Sequence, residues 1–336
     1  MVVIVPLTLL LAGCASNKPV LPLPALPQGA IELRVAYAVN PRLPRMSPGQ
    51  LAILLDALRN TAREHFGVEL RFSAVEETTV AALFARIPDE KRREAQREIF
   101  DFKTGSGDPA RLEAIFADAL EKASEPLQQL IDYAAPYMDV SRIGDKRTLG
   151  ARLARVEIER VQRWRDIVAL DGKPSIDAQP YNEFNYWDVL GYGELPYELV
   201  LTNQLIASVE YVFPDLHPAL RGGYNNGVTS YSRRSRFLTY SAWSTFGFVS
   251  DDAWVKQLRG GETYGADEAA RLAGIGAAHE LGHQLFHLGH PYGQRGCIMS
   301  PPPQLAYRAW VNGLSAADCP IGSSKPMQPG AFQFEY

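Results

Sequence analysis

Residues 279–283 read His-Glu-Leu-Gly-His, and this pentad constrains the chain more than any other segment. Asp267 and Glu268 open a helical pattern, where acids suit the positive end of the helix dipole. The pattern continues through Ala-Ala-Arg-Leu-Ala-Gly-Ile-Gly-Ala-Ala into the pentad. Residues four apart on a helix are separated by about 40° and one turn of rise. His279 and His283 can therefore present two imidazoles to one metal ion, at bond lengths of about 2.0–2.1 Å. Glu280 falls on the neighbouring side, where it can hold a metal-bound water without ligating.

Such a site needs a third protein ligand and an open fourth position for water. Asp318 and Glu335 are the only acids after His290, and neither lies in a helical pattern, which disfavours a glutamate from a later helix. Four of the six histidines lie between 279 and 290, so the candidates are His287 and His290. On an unbroken helix His287 sits about 12 Å along the axis from His279, too far to converge easily. Gly289 can end the helix and reverse the chain, and Pro291 blocks its continuation. His290 is the preferred third ligand and His287 the alternative. One Zn2+ is the expected metal.

Met299 stands nine residues past His290, in Gly296-Cys297-Ile298-Met299-Ser300-Pro301. Together these motifs resemble the metzincin zinc peptidases, whose H-E-x-x-H-x-x-G-x-x-H motif is followed by a turn that places a Met beneath the metal. The short gap and the Cys-x-Met arrangement are most similar to the archaemetzincin branch. The resemblance implies His279, His283 and His290 as ligands, Glu280 as general base and Met299 as the Met-turn residue. It also implies a metzincin-like mixed sheet with an active-site helix. The specific likeness covers about 265–301. Phe286 stands where the family has glycine, and the third His comes one residue late. The cysteine-rich second zinc site of archaemetzincins has no counterpart among the remaining cysteines. Tyr292 and Tyr307 lie nearby and read as packing residues.

The chain begins with a short apolar run ending Leu11-Ala12-Gly13-Cys14. It is shorter than the roughly 20 residues a membrane span needs, and suits the core of a secretory signal. The ending resembles the lipobox of bacterial lipoproteins, implying a signal peptide over 1–13 and a lipidated, palmitate-bearing Cys14. No Lys or Arg precedes the apolar run, a departure from the usual signal. Residues 14–29 read as a proline-rich, extended tether, and 30–336 as the catalytic domain. No Asp follows Cys14, which by the same resemblance favours the outer membrane of the cell envelope, facing the periplasm. Cys297 and Cys319 remain, and in an exported protein that pair suggests one disulfide bond.

The rest of the chain reads as α/β (α+β). The expected elements are a half-buried strand over 31–39, a helix over 48–66 capped by Ser47 and stopped by Gly67, and a strand over 68–75. A helical insertion at about 78–194 holds helices at 78–86, 89–101, 109–136 and 146–170, then a loop at 171–194. Strands follow at 199–209, 228–232 and 237–245, the last two forming a hairpin through 232–236. A net charge of -4 provides no basic field for nucleic acid. The basic clusters Lys91-Arg92-Arg93 and Arg233-Arg234-Ser235-Arg236 read as solvated surface.

These features point to a lipid-anchored zinc metalloprotease acting on a peptide or protein substrate, with the membrane engaged through the lipid. Two other readings are a non-catalytic binding or scaffold lipoprotein and a zinc hydrolase of a non-peptide amide. The intact Glu280 argues against the first of these, because a purely structural site has no use for that base. The lipobox reading predicts that Cys14→Ser abolishes partition of the protein into the detergent phase. Unchanged membrane association of that variant would reveal a different anchor.

Overall fold

The computed structural model describes residues 29–97, 99–100, 108–176, 179–210 and 214–317. Cys14, the signal and tether segment through residue 28, and Cys319 lie outside the described residues. The chain starts with strands β1 (Ile31–Leu33) and β2 (Val35–Val39), helix α1 (Pro48–Phe66), and strands β3 (Leu70–Phe72) and β4 (Glu76–Thr79). A largely helical stretch follows: α2 (Val80–Phe84), α3 (Asp89–Gln96), the short strand β5 (Ile99–Phe100), α4 (Pro109–Lys122), α5 (Leu127–Ala134), α6 (Lys146–Arg165) and α7 (Phe184–Val189). The remaining elements are β6 (Leu199–Thr202), β7 (Val209–Glu210), α8 (Leu216–Leu220), β8 (Gly227–Tyr231), β9 (Thr239–Ser244), α9 (Phe246–Val249), α10 (Ala253–Leu258), α11 (Ala266–Phe286) and α12 (Tyr307–Asn312). Among the described residues, no helix is long and apolar enough to cross a membrane.

The fold is a mixed α/β arrangement around a five-stranded sheet of order β4-β2-β6-β9-β8. The first four of these strands are parallel, and the edge strand β8 runs antiparallel to β9. The 232–236 turn thus joins a hairpin, as the sequence indicates. Val35, Tyr37, Val39, Leu199, Leu201 and Trp243 pack on one face with α1 and α11. Ala36, Ala38, Val200, Tyr240 and Ala242 pack on the other, against α2 and Trp187 of α7. A third apolar cluster joins α4, α5 and α6 to α8 and Tyr292.

Local chemistry explains where the elements begin and end. In α1, the Ser47 hydroxyl accepts from the Gln50 N–H while Gln50 Oε1 accepts from the Ser47 N–H, a capping box with Pro48 in the first turn. Gly67, at φ 69°, closes that helix in the left-handed conformation. The expected strand over 31–39 is split at Arg34, whose N–H donates to Glu198 Oε2 at 2.8 Å. Its second half is buried on both faces rather than one, because helices cover both sides of the sheet.

Elsewhere the expected boundaries shift. The strand over 68–75 is confined to β3. Residues 76–79, partly assigned to a helix, instead form the polar edge strand β4, whose place comes from pairing with Ala36–Val39. The helix over 109–136 is two helices, α4 and α5, with Pro126 capping the second. The helix over 89–101 ends at Gln96, and the one over 146–170 at Arg165. The loop at 171–194 contains α7. The strand over 199–209 stops at Thr202 because Asn203 turns away: its amide donates to Asn40 O at 2.8 Å and Leu43 O at 2.9 Å.

Glu157 in α6 is 3% exposed, and its Oε2 has no hydrogen-bond partner. Burial holds its carboxyl well above the ordinary range, so the folded chain keeps a proton that the unfolded chain releases. Stability from this group is therefore present below about pH 4.3, the unfolded value, and is lost as pH rises above it. Glu157→Gln should raise stability by at least about 1 kcal/mol at pH 7.5, with the gain vanishing near pH 4. Thermal melts of both proteins across that range check this.

Candidate metal centre

Helix α11 runs from Ala266 to Phe286 and is buried along most of its last three turns. Its close packing depends on small residues: a Cβ at Gly274 would lie 2.1 Å from the Leu54 carbonyl oxygen of α1. At Gly282 a Cβ would lie 2.2 Å from Met299 Sδ. The glycine inside the pentad thus makes room for the thioether, and Met299 is fully buried directly against the helix beside His283.

His279, His283 and His290 converge. Their Nε2 atoms form a triangle with every side 3.0 Å. His290, the expected third ligand, thus stands with the other two, but the chain reverses two residues before Gly289. His287 takes the left-handed conformation, φ 55°, and caps the helix. Its N–H bonds back to His283 O, and the Leu288 N–H bonds to Gly282 O. Gly289 is not a positive-φ residue. The alternative ligand, His287, lies outside the triangle and supplies the turn instead; its Nε2 has no hydrogen-bond partner.

The opposite nitrogens fix the tautomers. His279 Nδ1 donates to Ile298 O at 2.9 Å, and His283 Nδ1 donates to Leu288 O. Carbonyl oxygens only accept, so both protons reside on Nδ1. His290 Nδ1 donates to Asp215 Oδ2 at 3.0 Å. The Nε2 atoms of His279 and His283 thus direct lone pairs into the triangle that His290 Nε2 completes. Burial first, then the neighbouring His283 and His290 rings, holds His279 well below its ordinary pKa. His283 falls to about 3, again mainly through burial. Three imidazole nitrogens at this spacing suit one cation. Tetrahedral zinc with bonds of about 2.0–2.1 Å places its ligand nitrogens roughly 3.3 Å apart.

Glu280 is 7% exposed and lies beside β8. The Thr229 hydroxyl donates to its Oε2 at 2.9 Å. Burial pushes the carboxyl up to about 7, while that hydrogen bond and His290 pull it down. A Cβ at Gly227 would sit 2.0 Å from Glu280 Oε1, so any larger residue there would displace the carboxyl group. The side chain therefore occupies a fitted slot between helix and edge strand. The bonds from Ser244 N to Asn226 O and from Ser232 N to Leu238 O bracket β8 and set its alternation. The backbone groups of Gly227 and Thr229 consequently face away from β9, toward the sheet edge.

Sequence reasoning missed Asp215 and His217, at the start of α8. Asp215, His217 and His290 form a second cluster whose potential donor atoms lie within 4.8 Å of one another. Burial would raise Asp215, but the charges and hydrogen bonds of His217 and His290 outweigh it and hold the carboxyl well below its usual range. Asp215 lies 75 residues from His290, so no local spacing flags it. Tyr292 is more than packing: its hydroxyl is 3.2 Å from His290 Nδ1 and 3.3 Å from His217 Nδ1. Tyr307 is fully committed to the core, donating to Asn226 Oδ1. Cys297 is fully buried in the Met299 segment. Its expected partner, Cys319, lies outside the described residues.

Compared with family models, with curated proteins and with solved structures, the chain gives no match.

The geometry predicts that His290→Ala weakens zinc binding at least about 100-fold, as expected for loss of one ligand of three. His287→Gly should leave one zinc bound and preserve the helix end, since glycine accepts the left-handed turn. Titration of both variants against a chelating dye reads the difference. Zinc retained by His290→Ala and lost from His287→Gly would reverse the assignment.

Proposed function

We propose that the protein is a zinc-dependent metallopeptidase, tethered to the bacterial cell envelope through Cys14. The observation that carries this reading is the convergence of three histidine Nε2 atoms, with Glu280 one residue along the same helix from His279. The sequence resemblance to metzincins supports the same assignment, as does the buried Met299 against Gly282.

His279, His283 and His290 would hold the ion. A zinc ion held by three neutral histidines supplies a water acidified toward a pKa of about 7 and polarises a substrate carbonyl. Glu280 takes a proton from the attacking water and returns it to the leaving amine. Its raised affinity for protons, caused by burial, suits both halves of that cycle. Thr229 and the close wall at Gly227 restrict the carboxylate to one orientation. The outward backbone groups of Gly227 and Thr229 offer an extended substrate a strand to pair with, beside the base.

Glu280→Gln keeps the shape of the side chain and removes its basicity. The variant should retain one zinc and its melting temperature, and lose peptide hydrolysis by at least about 100-fold. A peptide-library digest by both proteins, with metal analysis, tests this. Wild-type turnover in the variant, or a zinc-loaded wild type that cleaves no peptide, would require another mechanism.

A further inference from the structure

The third ligand is held differently from the first two. His279 and His283 are fixed by the helix backbone, whereas His290 stands on the irregular segment four residues beyond its end. A ligand on such a segment needs an external hold to keep its lone pair aimed at the ion. The structure places four side chains on its outer side. Asp215 Oδ2 lies 3.0 Å from His290 Nδ1, and the Tyr292 hydroxyl lies 3.2 Å from the same atom. His217 packs edge-on against the His290 ring, centroids 4.9 Å apart, with its own Nδ1 3.3 Å from Asp215 Oδ1 and 3.3 Å from the Tyr292 hydroxyl. Tyr133 stands edge-to-face with Tyr292 at 4.9 Å.

This group packs against the inserted helices. Asp215 and His217 sit at the start of α8, whose Leu216, Ala219 and Leu220 pack with Leu149, Leu153 and Val156 of α6. Tyr133 belongs to α5, and its hydroxyl donates to Pro301 O just beyond Met299. Arg221, next along from α8, donates to Pro302 O and Gln304 O, while Trp164 of α6 donates to Arg221 O at 2.6 Å. The insertion is thereby stitched to the segment that follows the ligand.

We propose that Asp215 is a positioning residue that fixes the tautomer and orientation of His290, and that the insertion helices serve this site by holding Asp215, His217 and Tyr292 around it. The proposal rests on the reading of the histidine triad as a zinc site. It assigns the Nδ1 side of His290 to a carboxylate and leaves the Nε2 side for the metal, a carboxylate–histidine–zinc relay. It also accounts for a third ligand that works without the family's glycine turn. The competing possibility is that Asp215, His217 and His290 bind a second ion themselves.

The test uses the metal-free full-length protein, zinc and a competing chelating dye, with His279→Ala as the reference for loss of the site. Asp215→Ala should bind zinc about 10- to 100-fold more weakly than wild type, the usual scale for such a partner. Asp215→Asn should lose less, because its side-chain oxygen still accepts from Nδ1. Neither variant should lower the metal-free melting temperature, and the visible bands of the cobalt-substituted variants should shift relative to wild type. Wild-type affinity and spectra in Asp215→Ala, with zinc lost from His279→Ala, would overturn the proposal and leave the metallopeptidase reading standing. Two zinc ions in wild type falling to one in Asp215→Ala would overturn it in favour of a second metal site. Absence of zinc from the wild type would remove both readings together.

Discussion

Three imidazole lone pairs meeting at 3.0 Å are unfavourable neighbours unless a cation lies between them. The surrounding structure is organised to impose that arrangement. Ile298 O, Leu288 O and the Asp215 carboxylate each take the proton of one Nδ1, so no imidazole can relieve the contact by rotating or changing tautomer. Burial disfavours relief by protonation, because it holds His279 and His283 far below their ordinary pKa values. The crowded Nε2 contact costs stability in the metal-free protein, and a bound cation would offset it.

The same economy shapes the ground around the base. Glu280 is wedged where a methyl group on Gly227 could not fit, and its carboxylate is tied to Thr229 of the edge strand. The strand that orients Glu280 is also the strand whose backbone faces outward. Gly282 admits the Met299 thioether against the helix, which places the Ile298 carbonyl within reach of His279. The helix, the edge strand and the segment after His290 are thus interdependent through contacts of van der Waals length.

The sequence makes the helical half of this site legible, because a four-residue spacing maps directly onto one helix face. His279, Glu280 and His283 follow from that geometry, as do the capping box at Ser47 and the stop at Gly67. The turn that delivers His290 is harder to read. A histidine, not the expected Gly289, takes the left-handed position, and only the bonds back to Gly282 and His283 show why the chain turns there. Asp215 is invisible for a different reason: its relation to His290 is created by tertiary packing across the insertion. The polar strand β4 overlaps the start of the helix expected over 78–86 and owes its state to hydrogen bonding with β2. Pro126 divides the expected helix over 109–136 into α4 and α5.

The central claim is that one ion would sit on the open side of the histidine triangle, with imidazole nitrogens as its only protein ligand atoms. X-ray absorption at the zinc edge of the purified protein tests it most directly. The account predicts one zinc with three imidazole nitrogens at about 2.0–2.1 Å and one oxygen ligand from water. A shell containing sulfur, a fourth imidazole in place of water, or fewer than three histidine ligands would contradict it.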